Sequence, residues 1–162
     1  MFNKNKNKME LCVTRFNNDT YLENKNFREK HRITCIYPSP IKISNNILPN
    51  QELIILEMNN SNNSIEGIGL IYNKLCFKKK YRIYTDKNYN RYVYKSNYRI
   101  DKNEFKDFEK LIVIILEKLI FKSASHCKRG QGIQIIPKHI KNNSELNYCK
   151  ILIDYIKLRF NK

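Results

Sequence analysis

A chain of 162 residues that is 41% hydrophobic has room for one domain with one sizeable core. Its net charge of +16, from 31 Lys and Arg against 15 Asp and Glu, favours a polyanionic partner, nucleic acid being the commonest. The longest apolar run, residues 111–116, is only six residues long, which excludes it as a membrane-spanning helix and leaves no membrane partner to expect.

Taken in chain order, residues 1–8 alternate Lys and Asn and are expected to form a solvated, disordered basic arm rather than the apolar core of a targeting signal. Residues 9–162 are then expected to form the single domain. Residues 10–16 predict a strand, and 21–29 a short helix within a polar stretch. Residues 32–37 are β-branched and strand-like until Pro38-Ser39-Pro40 breaks them, with 41–43 continuing extended. Residues 52–58 hold four consecutive apolar residues, Leu53 to Leu56, and predict a buried strand. The Asn- and Ser-rich stretch 59–64 is a turn, and 65–72 returns as the second strand of an antiparallel hairpin.

Short strands follow at 82–85, 91–94 and 98–100, separated by turns at 86–90 and 96–97. Asp101 with Glu104 three residues on predicts a capping box. It would open a helix to about Lys122, with Phe105, Phe108, Leu111, Ile112, Ile115, Leu116 and Leu119 on its apolar face. Residues 133–136 form a strand ended by Pro137, and Ser144 caps a last helix carrying Leu146, Cys149, Leu152, Ile153, Ile156 and Phe160. Strands followed by helix, strand and helix predict an α+β fold. Its sheet is expected to be curved and mainly antiparallel, or a small barrel, with two helices in the C-terminal half. Alternation in the middle of the chain predicts a sheet packed on one face and wet on the other.

All four glycines fall in two G-x-G pairs, Gly67-Ile68-Gly69 and Gly130-Gln131-Gly132. In a chain so poor in glycine, both pairs are expected where backbone meets a ligand closely or a strand bends. The second closes the segment His126-Cys127-Lys128-Arg129-Gly130-Gln131-Gly132, in which Lys128 and Arg129 beside freed amides would hold phosphate. A helix terminus with a glycine stop accounts for the same residues, and the spacing of a Walker loop is missing.

Residues 72–99 hold seven of the eleven tyrosines and nine basic residues against one acid, Asp86. Rings that stack on unpaired bases beside cations that hold phosphates define single-strand binders. From this block Arg91, Tyr92 and Tyr94 are the expected stacking and charge contacts, although tyrosine also simply favours strands. Asn59, Asn60 and Asn62 offer donors and acceptors to a base edge, as well as ordinary turn chemistry.

Catalysis has little support. Cys12, Cys35, Cys76, Cys127 and Cys149 are odd in number and form no C-x-x-C pair, so reduced, mostly buried thiols are expected. No His or Cys pair has zinc-like spacing, and no cofactor or metal is expected.

Three blocks, Glu57 to Asn60 with Ile65 to Ile71, Tyr89 to Tyr94, and His126 to Ile133, together resemble short uncharacterised proteins of large nucleocytoplasmic DNA viruses. The Asn-, Lys- and Ile-rich composition, typical of A+T-rich coding, fits such a source, and the resemblance implies a host-cytoplasmic or virion location rather than secretion. More distantly, a strand, an Asn/Ser-rich loop and a Gly-x-Gly strand in a small α+β domain are similar to PUA-like barrels, the superfamily of YTH, EVE and ASCH domains. That similarity implies RNA binding or the reading of a modified base. The chain has no Trp for an aromatic cage, so Tyr or Phe would have to stand in.

The resulting expectation is a non-enzymatic nucleic-acid-binding protein with RNA ahead of DNA. Its site residues would be Lys128, Arg129, Gly130, Gly132, Arg91, Tyr92, Tyr94, Asn59, Asn60, Asn62 and His126. A virion-associated module docking an acidic protein partner is the alternative, and a nucleic-acid-processing enzyme using His126 the third.

Overall fold

A run of apolar residues, interrupted only by Thr14 and Arg15, makes β1 (Glu10–Phe16) a strand buried along most of its length. The computed structural model describes residues 8–142 and 147–162. The basic arm expected over 1–8 lies outside the described residues except for Lys8, as do the Ser144 cap and Leu146 of the last expected helix.

Asn17 turns the chain into α1 (Asn18–His31): its side chain accepts from the Thr20 N–H at 2.8 Å, while the Thr20 hydroxyl accepts from the Asn17 N–H at 3.0 Å. After α1 come β2 (Cys35–Ser39), β3 (Glu52–Asn59) and β4 (Ser64–Tyr72). Then follow β5 (Tyr92–Ser96), β6 (Tyr98–Asp101) and α2 (Asp107–Glu117), which a π-helical turn extends over Lys118–Lys122. A two-residue strand β7 (Gln134–Ile135), the single turn α3 (Lys138–Lys141) and α4 (Tyr148–Arg159) complete the described chain.

The α+β class holds. The main sheet has the order β6-β4-β3-β1-β7. β1 and β3 run parallel, with Cys12 opposite Ile55, while β3–β4, β4–β6 and β1–β7 are antiparallel. A parallel pair needs a crossover, and α1 with β2 supplies it. The sheet stays open at β6 and β7, so the barrel expectation is corrected: the described strands do not close on themselves.

The expected wet face is also corrected, because described residues cover both faces of the main sheet. On one side Leu11, Val13, Ile54, Leu56 and Leu70 pack against Ile112, Leu116, Leu152 and Ile156 of α2 and α4. On the other, Cys12, Leu53, Ile55 and Ile71 pack under the β2–β5 ribbon. Four consecutive apolar residues in β3 require both faces to be covered. Each such Leu or Ile gains roughly 1.5–3 kcal/mol by leaving water.

Three local expectations change. No strand forms over 82–85. Asn90 replaces a partner strand: its Oδ1 accepts from the N–H groups of Ile83 and Tyr84 at 3.0 and 2.9 Å, and its Nδ2 donates to the Tyr84 carbonyl at 2.8 Å. Residues 41–43 are irregular, Ile43 N–H donating to the Tyr94 hydroxyl at 2.9 Å. The Asp101–Glu104 capping box exists but caps only a 3-10 turn, Lys102–Glu104. The α-helix begins at Asp107, where Glu109 accepts the Lys106 N–H at 2.7 Å. The phase of its buried face shifts accordingly: Phe108 and Leu111 are exposed, while Val113 is buried.

Candidate nucleic-acid interface

The two glycine pairs have different roles. Gly67 and Gly69 lie in β4 against a buried ionic cluster. A Cβ on Gly67 would sit 2.7 Å from Glu57 Oε2, and one on Gly69 would collide with the Tyr37 hydroxyl. Glu57 is 1% exposed. It accepts from the Tyr37 hydroxyl at 2.7 Å and from Arg99 Nε and Nη2 at 2.7 Å each. Arg99 Nη1 reaches Asp101 at 2.9 Å. Burial opposes the charge on Arg99, but the Glu57 hydrogen bonds outweigh it and raise the guanidinium pKa. This first pair makes room for a structural ion cluster, so its expected ligand contact is corrected.

The second pair borders a cavity. Gly130 and Gly132 have φ of 113° and 70°, values that β-carbon-bearing residues rarely adopt. Both line a pocket of about 230 Å³ at the carboxyl ends of the parallel strands β1 and β3. Loops at the carboxyl ends of parallel strands are where open α/β sheets bind ligands. Arg15 and Phe16 end β1, Asn17 and Thr20 open α1, Pro38 lies in β2 and Pro40 follows it. Asn60 comes from the β3–β4 loop, Lys128 from the glycine loop, and Tyr84 and Tyr89 from the segment before β5. Among the described residues, no carboxylate lines the pocket.

Four buried side-chain polar atoms lack a partner among the described residues, and two of them belong to residues that line this pocket. Arg15 donates from Nε to the Cys127 carbonyl at 2.6 Å and from Nη2 to Gln134 at 3.0 Å, leaving Nη1 unpaired. Burial lowers its pKa, and no described carboxylate forms an ion pair with it. Asn60 donates from Nδ2 to the Lys128 carbonyl at 2.9 Å, which orients its amide and leaves Oδ1 as the unpaired acceptor. Both atoms lie buried behind the lining, so this unpaired donor and acceptor are polar capacity that a ligand satisfies once either side chain turns toward the cavity. Tyr89, 39% exposed, offers a ring in T-shaped contact with Tyr84 at a centroid distance of 6.3 Å.

The other expected residues divide. Lys128, Gly130, Gly132 and Asn60 meet at the cavity. Arg129 and His126 line a separate depression, together with Arg15, Cys127 and His139. His126 Nδ1 accepts from the Lys128 N–H at 3.3 Å, so it steadies the loop. Arg91 is exposed and its guanidinium stacks over Tyr92 at 5.7 Å, with Lys42 at 5.5 Å from the same ring.

Tyr94 is 1% exposed and fixed by the Ile43 N–H, so its expected stacking role is corrected. Asn59, also 1% exposed, donates to Asn18 and Glu66 and accepts from the Ser61 N–H. Its side chain is used up in shaping the loop, which corrects its expected base contact. Asn62 likewise donates to Glu66, at 3.2 Å.

Sequence reasoning passed over Arg15, Tyr84 and Tyr89. Arg15 carried a signal: a lone cation within the apolar run of β1, where an unpaired charge is costly unless it has a task. Among the described residues, no three His, Cys, Asp or Glu side chains gather as a metal set. Compared with protein-family models, curated proteins and solved structures, the chain matches none.

Proposed function

We propose that this protein binds single-stranded nucleic acid, RNA foremost, and seats one unstacked base in the cavity where β1 and β3 end. The observation that carries the reading is the pairing of unsatisfied Arg15 Nη1 and Asn60 Oδ1 with an acid-free lining of Lys128, two positive-φ glycines and Tyr89. A base edge supplies both an acceptor and a donor, a phosphate meets Lys128 and the loop amides, and a ring stacks on tyrosine. The proposal extends to a PUA-like relationship in which the base is a modified one, with Tyr84 and Tyr89 serving where Trp is absent.

Matched single- and double-stranded RNA and DNA oligonucleotides, with and without modified bases, test this across a salt series. Single-strand binding that persists at high salt is expected, together with a loss of about tenfold in Tyr89→Ala, within the range for one stacked base. Undiminished binding by a Tyr89→Ala, Lys128→Glu double variant overturns the reading. Equal binding to all four that vanishes with salt transfers the function to docking an acidic partner or packaging a genome.

A further inference from the structure

A second concavity, of about 700 Å³, lies in the segment between β4 and β5 and shares Tyr84 with the first. Five cations line it: Lys79, Lys80, Arg82, Lys87 and Arg91. All five are exposed, and none forms an ion pair among the described residues. The nearby acids are already engaged. Asp86 caps the 3-10 turn Lys87–Asn90 by accepting the Asn88 N–H at 3.0 Å, and Glu23 accepts the Thr85 N–H at 3.0 Å.

Phe77, on the rim, is 85% exposed. A phenyl ring so open to water, among cations, has no packing role in this fold. Both ends of the groove-lining segment are anchored: Asn90 ties down Ile83 and Tyr84, and the Cys76 N–H donates to the Val93 carbonyl at 2.9 Å.

We propose that this groove holds the flanking nucleotides of the strand whose base enters the cavity, an inference that rests on the base-site reading above. The cations take successive phosphates and Phe77 stacks on a neighbouring base. Tyr84, common to both concavities, marks where the strand passes from one to the other. An unpaired strand is specified over a duplex because a free ring face such as Phe77 needs an unstacked base to cover it. A purely acidic chain would use the cations but leave the ring bare, which is what polyglutamate tests.

The test uses the full chain, with fluorescence anisotropy on single-stranded oligoribonucleotides of about three and about ten nucleotides, lengths that bracket small single-strand sites. Wild type is expected to bind the longer one at least about tenfold more tightly, from added phosphate contacts and stacking, and with a steeper salt slope. In Lys79→Ala, Lys80→Ala, Arg82→Ala together, the slope for the longer strand should fall by about 2, since each single-strand phosphate contact contributes about 0.7. Affinity for the short strand should be unchanged. Phe77→Ala should lose about fivefold or more on the longer strand only. All four positions are exposed, and an unchanged thermal melt confirms folding.

A triple variant that keeps the full advantage of the longer strand overturns the groove assignment and leaves the cavity reading standing. Polyglutamate of matched charge that binds as tightly as the longer strand also overturns it, in favour of an acidic protein. A wild-type protein with no affinity for the short strand overturns the cavity reading, and the flanking-strand inference with it.

Discussion

Replacing Arg99 by methionine tests how the buried ion cluster supports the sheet. The substitution keeps a long unbranched side chain but removes two hydrogen bonds to Glu57 and one to Asp101. Glu57, 1% exposed, would retain only the Tyr37 hydroxyl. A buried charge stripped of its partner costs about 3–5 kcal/mol. For a chain of this size that corresponds to a fall in Tm of roughly 6–20 °C.

The double variant Arg99→Met, Glu57→Leu removes the abandoned charge as well, at the cost of leaving the Tyr37 hydroxyl without its acceptor, about 1–3 kcal/mol. It should therefore be more stable than Arg99→Met alone, by about 2 kcal/mol from the midpoints of those two ranges. Urea unfolding of the wild type, both single variants and the double variant measures the coupling directly. If Arg99→Met stays within about 1 kcal/mol of wild type, the cluster is not a structural support.

Three other outcomes follow from the same geometry. Burial opposes ionisation of Glu10 and Asp101, but Lys141 and Lys8 beside the first and Arg99 beside the second hold both below their ordinary values of 4.5 and 3.8. Their contribution is present above the unfolded values and is lost as pH falls through the folded ones, so melts from pH 7 to 3 should show Tm dropping below about pH 4.5. In Glu10→Gln the drop should be shallower. Gly132→Ala places a Cβ 2.8 Å from Ile41 and from Ser39 at φ 70°, and should cost about 1–3 kcal/mol and weaken oligonucleotide binding together. Cys12 and Cys35, pushed up to about 12 and about 11 chiefly by burial, should resist alkylation in the native state, with half-buried Cys76 modified first. Mass spectrometry of a timed iodoacetamide reaction reads that order.

Cavity and groove differ in how legible they were. The groove lies within one stretch of chain, so the density of Lys, Arg and Tyr over 72–99 announced it. The cavity is assembled from five separate segments, and only its glycine loop and Asn60 stood out. Tyr89 and Tyr94 looked alike as letters. One ends up on a short 3-10 turn with an open ring, and the other in the β2–β5 ribbon with its hydroxyl committed to Ile43.

Local pattern by itself determined the β3–β4 hairpin, β1 and the helical period of α2. Consecutive apolar residues, an Asn-rich turn and a 3.6-residue repeat are properties of short windows. It could not decide that β1 pairs with β3 in parallel, because such a pair leaves no turn signal and is fixed by what α1 and the ribbon must bury. Nor could it tell the glycine pairs apart. Gly69 serves the Tyr37 hydroxyl, which arrives from another strand, whereas Gly130 and Gly132 serve a left-handed loop facing a cavity. Glycine marks the need for space in both places, and only the neighbours that tertiary folding brings up show whether side chains or a ligand fill it.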